Sequence, residues 1–178
     1  IDGVKALSMQ NPPMGNRILI VTNGGGFGVI VADHCSENGL EVPPPSPQLK
    51  EKLGSKFSAF YVVNNPVDLT GSACDSDYYI ALNACMIESD EYDAAIIIPL
   101  MAPQGMSEKV VDLITETMKR SGKPAVICTV GGAFTMKIKG LFEEREFPVY
   151  PSPERSARAM SMLLKRRVLQ EGAVRSAI

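Results

Sequence analysis

Short apolar runs rich in β-branched residues recur along the chain, and each gives way to a segment of helical periodicity with no hairpin signal between them. NRILIVTN (16–23) reads as a strand covered on both faces. Residues 26–38 are predicted helical, with Gly39 as the stop. LEV (40–42) reads as a second strand, and PPPSPQ (43–48) cannot be regular because prolines remove backbone donors. A short helix is expected from Ser46 to Gly54, with Pro47 in its first turn. After a turn-rich loop (64–77), a helix over 76–88 carries Tyr79, Leu82, Cys85 and Met86 at helical spacing. DAAIIIPL (93–100) is the third strand, followed by a helix capped by Ser107 with the stripe Val110, Val111, Ile114 and Met118. Lys119 and Arg120 suit its negative end, and Gly122 and Pro124 stop it. AVICTV (125–130), a helix opened by GGAF (131–134), PVY (148–150) and a helix over 152–167 with Ser152 as N-cap complete the pattern. Such alternation predicts an α/β fold: a flavodoxin-like open parallel five-stranded sheet, order 2-1-3-4-5, with helices on both faces. Residues 1–15, aperiodic and with two prolines, read as a linker from a preceding domain; 16–170 form the domain and 171–178 a tail.

At 178 residues the chain suits one domain with a real core. Eighteen Lys and Arg against 20 Asp and Glu leave a net charge of −2, which speaks against a nucleic-acid partner. No apolar run is long enough for a membrane span, and no secretory signal is visible. Ile1 does not read as a natural start, so a fragment is expected. The four cysteines lack C-x-x-C spacing, and Cys35, Cys85 and Cys128 sit among apolar neighbours. They read as small hydrophobes of a reduced, cytoplasmic protein; no metal site is expected with one histidine.

IVTNGGGFGVIVADH (20–34) puts four glycines into five positions where a strand meets a helix. The dinucleotide pattern G-x-G-x-x-G fails at Val29 when started from Gly24 and at Val31 when started from Gly26, and no Walker A triplet exists. What is left is a glycine loop at a helix start, whose free N–H groups and positive dipole end suit an anion. A tight turn with close helix–sheet packing explains the glycines equally well. In such sheets ligands bind at the carboxyl ends of the strands. The loops marked for that edge are Thr22–Gly28, Asn64–Gly71, Leu100–Met106 and Thr129–Ala133. Asn23 is a candidate helix cap or ligand contact, Asp68 a ligand-orienting group or a cap of its own loop, and Gln104 a donor or a solvated side chain. His34 lies well into the helix, with no nucleophile or acid at a catalytic spacing, and FEEREF (142–147) reads as a solvated face. No general base, nucleophile or metal set stands out, so the domain is expected to complete a site that belongs to something larger.

Taken together, GNRILIVTNGGGFGVIVAD, NPVDLTG, DAAIIIPLMAPQ, GKPAVICTVGG and FPVYPSPERSARAM resemble, over about residues 3–165, the ligase-CoA domain of the ADP-forming acyl-CoA synthetases. This family is related to succinyl-CoA synthetase. The resemblance implies the reversible reaction of acyl-CoA, phosphate and ADP to acid, CoA and ATP, by way of an acyl phosphate and a phosphohistidine. It assigns Asn23, Gly24, Gly25, Gly26, Phe27 and Gly28 to a helix start facing the phosphohistidine. It assigns Asp68, Thr70, Gly71, Pro103, Gln104, Gly105, Gly131 and Gly132 to loops at the acyl end of the site. The implied partners are a CoA-binding domain, a phosphohistidine domain and an ATP-grasp domain or subunit, in an oligomer. CoA, ADP or ATP, phosphate and Mg2+ serve the whole enzyme, with no cofactor bound and no catalysis performed by this domain alone. His34 does not match the phosphohistidine. A regulatory or binding module without ligase activity, for example fused to an acetyltransferase, is the alternative. A true flavodoxin is disfavoured, because the Ser/Thr-rich phosphate loop and flanking aromatics are missing.

Overall fold

The computed structural model describes residues 2–175, with side chains through Gln170. The elements run α1 (Asp2–Met9), β1 (Ile18–Thr22), α2 (Gly25–Glu37), α3 (Pro47–Gly54), β2 (Val67–Asp68), α4 (Asp75–Leu82), a π-helical turn (Asn83–Ile87), β3 (Ala94–Ile98), α5 (Lys109–Ser121), β4 (Ala125–Cys128), α6 (Ala133–Glu144), β5 (Val149–Tyr150) and α7 (Pro153–Arg175). The five strands form one sheet in the order β2-β1-β3-β4-β5, parallel throughout. The predicted fold class and order are therefore observed.

Alternate residues of each strand serve opposite layers, as the two-residue pleat requires. Leu19, Val21, Ala95, Ile97, Ala125 and Ile127 pack into one core with α3, α4, α5 and α6. Ile18, Ile20, Ala94, Ile96, Val126 and Cys128 pack into the other with α1, α2 and α7. Burial on both faces explains why the strands read as continuous apolar runs.

The second strand is not where the sequence suggested. LEV (40–42) makes a single parallel bridge, Glu41 to Arg17, and the strand in second place is Val67–Asp68, inside the expected loop. Pro43, Pro44 and Pro45 cannot donate to a ladder, so the segment leaves the sheet. Between the two pairings the Asn65 carboxamide takes over: Ile20 N donates to its Oδ1 at 2.9 Å, and its Nδ2 donates to Ile18 O at 2.8 Å and to Pro43 O at 3.0 Å.

Residues 1–15 also differ from the linker reading, because they contain α1. Asp2 receives the Arg155 guanidinium (Nε at 2.6 Å) and, through its carbonyl, the Tyr150 hydroxyl at 2.8 Å. Lys5 pairs with Glu143 and donates to Val149 O at 2.7 Å. A helix of eight residues is marginal alone; here it packs on α7, and these contacts tie it to β5 and α6.

Smaller corrections have similar causes. Tyr78, not Tyr79, is the buried tyrosine of α4, and its hydroxyl donates to Ile98 O. The FEEREF segment is not a plain solvated face: Phe142 and Phe147 are buried, Glu143 meets Lys5 and Arg145 pairs with Asp112. α5 starts two residues after Ser107, whose hydroxyl accepts from Lys109 N and donates to Asp75. α7 runs through Arg175, into the expected tail; residues 176–178 of that tail and Ile1 lie outside the described residues.

Candidate functional site

All five strands point their carboxyl ends to one edge, and the glycine-marked loops gather there. At the end of β1 the Thr22 hydroxyl accepts from Gly24 N at 2.9 Å and folds the chain into α2. Gly24 is the N-cap and supplies no side-chain cap. Phe27 N and Gly28 N both turn back to Gly24 O, while Gly25 N and Gly26 N have no acceptor among the described residues. These are the orphan donors of a helix start, and they favour negative charge.

Each glycine has a separate reason. A Cβ on Gly28 would lie 2.9 Å from Thr22 Cγ2 and 3.1 Å from Pro66 Cβ, so α2 touches the sheet edge there. A Cβ on Gly25 would lie 2.4 Å from Asp68 Oδ2. Around Gly26 a Cβ would meet nothing, and the residue is exposed. The packing explanation thus covers Gly25 and Gly28 and leaves Gly26 over.

Asn23 does not cap α2. It is 4% exposed, and its carboxamide accepts from Leu100 N and donates to Leu100 O, both at 2.9 Å, clamping the loop after β1 to the loop after β3. Asp68 secures its own loop, since Thr70 N donates to Oδ1 at 2.8 Å. Its other oxygen stands at the α2 start, and the side chain lines a 260 Å³ cleft with Gly25, Val29, Val62, Asn64 and Pro66. The cleft's rim is apolar and open: Val29 is 57% exposed, Val62 53% and nearby in sequence Phe60 83%.

The remaining loops form a second and a third group. Thr70 pairs with Ser72, and Gly71 is exposed. Gly105 lies against the backbone of Ala73 and Cys74, and Asp75 N donates to Gly105 O at 3.3 Å, so the loop of Pro103, Gln104 and Gly105 packs onto the start of α4. Gln104 is exposed. Gly131, with φ 153°, borders a cavity of about 440 Å³ between the ends of β4 and β5, and Gly132 is the N-cap of α6. The groups share one edge but not one pocket. Thr135, Met136 and Lys139, which also line that cavity, went unnoticed in the sequence. Their only signal is the spacing of Thr135 and Lys139 on one helix face.

Burial pushes the Cys35 and Cys85 thiols up to about 12 and Cys128 to about 11, so none is a thiolate near neutral pH. His34 sits in the last turn of α2 against Glu37, 2.8 Å away and at the far end from the glycine loop. Among the described residues no cluster of His, Cys, Asp or Glu could hold a metal, and no helix is long and apolar enough to cross a membrane.

The geometry defines a doubly wound α/β domain with unpaired first-turn N–H groups of α2 on an open, glycine-lined edge. Residues 18–159 match the Ligase-CoA domain family, and the chain belongs to it. It is 32% identical over 167 residues to the alpha subunit of acetate–CoA ligase (ADP-forming) I from Pyrococcus furiosus, covering 92% of this chain and 36% of that subunit. The alpha subunit of acetate–CoA ligase (ADP-forming) II from the same organism is 32% identical over 161 residues, covering 88% of this chain and 35% of the relative. The dinucleotide-forming acetyl-coenzyme A synthetase 1 of Ca. Korarchaeum cryptofilum superposes with a TM-score of 0.87 at 29% identity, over 99% of this chain and 39% of that one. A structure of that synthetase in complex with phosphate and ADP gives 0.86 at 29% identity, over 99% and 38%. The chain thus spans little more than a third of these relatives.

Proposed function

We propose that this chain is the ligase-CoA part of an ADP-forming acid–CoA ligase and that it contributes α2 to a composite site shared with other domains. In that site Gly25 N and Gly26 N donate to the phosphoryl oxygens of a phosphohistidine brought by another domain. The observation that carries this reading is Gly26, an exposed first-turn glycine without a packing duty and with an unsatisfied N–H. A phosphoryl anion held by backbone donors needs no lysine or arginine. The exposed apolar rim of Val29 and Val62 suits the surface of the domain that delivers it.

Asp68 then sets the tilt of the edge. Its carboxylate approaches through Gly25 and occupies one side of the helix start, leaving the side at Gly26 for the incoming group. Asn23 clamps the loops after β1 and β3 together, while Gly105 rests on Ala73 and Cys74. In this reading CoA, nucleotide and Mg2+ are held by the CoA-binding and ATP-grasp parts, in line with curated relatives that are alpha subunits of ADP-forming ligases. The chemistry supplied there would be cleavage of the acyl-CoA thioester by phosphate, releasing CoA, and transfer of the phosphoryl group on to ADP, leaving the free acid. The linker reading of residues 1–15 becomes a connection to a preceding domain that enters through α1.

The test is ATP formation by the full-length protein with its partner subunit, from acyl-CoA, ADP and phosphate. ATP that depends on all three supports the reading; none with any acyl-CoA of a broad panel refutes it.

A further inference from the structure

The cleft beside the α2 start holds a charge that the fold leaves unpaired. Asp68 is the one charged residue of its lining, among Gly25, Val29, Val62, Asn64 and Pro66. Thr70 N donates to Asp68 Oδ1 at 2.8 Å. Asp68 Oδ2 accepts no hydrogen bond, and the carboxylate forms no ion pair, among the described residues. This oxygen is no helix cap. A Cβ on Gly25 would lie 2.4 Å from it, yet neither Gly25 N nor Gly26 N donates to it. Among the described residues no buried side-chain oxygen or nitrogen lacks a partner, so Oδ2 opens on the cleft and not on the core. The walls are apolar and uncovered: Val29 is 57% exposed and Val62 53%, with Pro66 half-buried. Asn64 is exposed at the rim, and its carboxamide has no partner among the described residues. A carboxylate between hydrocarbon walls, with a second acceptor at the rim, is the complement of a cation on a hydrocarbon stem.

We propose that this cleft docks a lysine side chain of the domain that delivers the phosphoryl group, its ammonium on Asp68 Oδ2 and Asn64 Oδ1 and its stem against Val29, Val62 and Pro66. The proposal rests on the composite-site reading above and names what the partner domain brings to it. Two features select lysine over arginine. The guanidinium fork is matched by both oxygens of a carboxylate, and Thr70 N already holds one of them. An ammonium is a point charge that one oxygen serves, and its long stem suits the apolar walls. Size agrees: at roughly 30 Å³ for each water-sized group, a lysine side chain takes about 150 Å³ of the 260 Å³. The lysine is an anchor and not a phosphoryl ligand. Its charge is matched by Asp68, and Gly25 N and Gly26 N stay free for the phosphoryl oxygens.

The experiment is zero-length carbodiimide coupling of the full-length protein with its partner subunit, in the presence of glycine ethyl ester as a competing free amine, read by peptide mass spectrometry. The reagent joins a carboxylate to an ammonium in contact with it as an amide. The expected product is Asp68 linked to a lysine outside residues 1–178. Asp68→Asn keeps an acceptor for Thr70 N and should fold, yet it should abolish the cross-link and lower ATP formation about tenfold, the loss of one charge-assisted bond. Asn64→Asp sets a second carboxylate on the same ammonium and should raise the yield of cross-linked protein, a gain that a merely structural role of the loop does not produce. Asp68 found carrying glycine ethyl ester alone, left unmodified, or joined only to a lysine within 1–178 overturns the docking site, as does ATP formation indifferent to Asp68→Asn. The two readings fail separately. A protein that makes ATP without the cross-link loses the docking site and keeps the ligase reading, and a cross-linked protein that makes none keeps the docking site and loses the ligase reading.

Discussion

Asn65 Oδ1 accepts the Ile20 amide at 2.9 Å, so a side chain performs a strand's work in the middle of β1. The same carboxamide donates to Ile18 O and Pro43 O, and the residue is buried. Replacing it with leucine leaves a buried N–H and a buried carbonyl of β1 without partners, each worth about 1–3 kcal/mol. We expect Asn65→Leu to lower stability by about 2–4 kcal/mol, read from urea unfolding. A loss below about 0.5 kcal/mol, the scale of a neutral surface change, would show that the carboxamide is dispensable.

Acid should loosen the other end of β1. Arg17 donates from Nε and NH2 to Asp93 at 2.9 and 2.8 Å, and its backbone N adds a bond at 3.1 Å. The Arg17 guanidinium holds the Asp93 carboxyl below the usual carboxylate range, against a smaller opposing effect of burial. A carboxyl with a lowered folded pKa stabilises fully above its unfolded value of about 3.9, and the benefit disappears as pH falls through the lower folded value. Stability measured from pH 5 down to pH 2 should therefore drop less steeply in Asp93→Asn than in wild type. At pH 7 that variant should lose about 1–2 kcal/mol, a figure kept low because Arg17 is half exposed to screening water. Parallel pH profiles for the two proteins would contradict the assignment.

The glycines of the first loop should separate on substitution. Gly28→Ala drives a methyl against Thr22 and Pro66 and should cost about 1–3 kcal/mol, as overpacking does. Gly26→Ala meets nothing and replaces a poor helix former, so stability should stay level or rise by up to about 1 kcal/mol. Thermal melts of both variants decide this, and equal losses would argue that the whole loop is packing.

α1 packs on α7 and reaches β5 through Lys5, on the Val149 carbonyl, and Asp2, on the Tyr150 hydroxyl. Gln10 extends the strap, accepting from Ala125 N at 2.9 Å and donating to Glu146 O at 2.7 Å. Removing residues 1–10 uncovers the Val149 carbonyl and strips partners from Arg155, Glu143 and Ala125 N. A stability loss of at least about 2 kcal/mol, with concentration-dependent light scattering from the exposed edge, is expected. A truncated protein that melts like the full one would return these residues to the role of a plain linker.

Three of the five strands announce themselves as apolar runs rich in β-branched residues and buried on both faces, and PVY follows from its place in the strand–helix alternation. Val67–Asp68 was hidden inside a stretch of turn formers; its place is set by Asn65 and by pairing with Val21 and Thr22. LEV carried the stronger local signal and lost to three prolines. α1 was hidden for a related reason: Lys5, Asp2 and Gln10 find their partners 115 or more residues away. At the site, GGGFG marked the helix start. Thr135 and Lys139 passed for ordinary helix residues, because the cavity they line exists only once β5 lies beside the loop after β4.

The central claim is that the α2 start accepts a phosphoryl anion, and Gly26→Glu tests it most directly. The side chain meets no atom of the fold, so the variant should fold, yet it sets a carboxylate where the phosphoryl group is to bind. In the full-length protein, ATP formation from acyl-CoA, ADP and phosphate should fall by about 100-fold or more, the scale of losing an anion-hole donor, with the melting temperature unchanged. A folded Gly26→Glu protein that makes ATP at the wild-type rate would contradict the account.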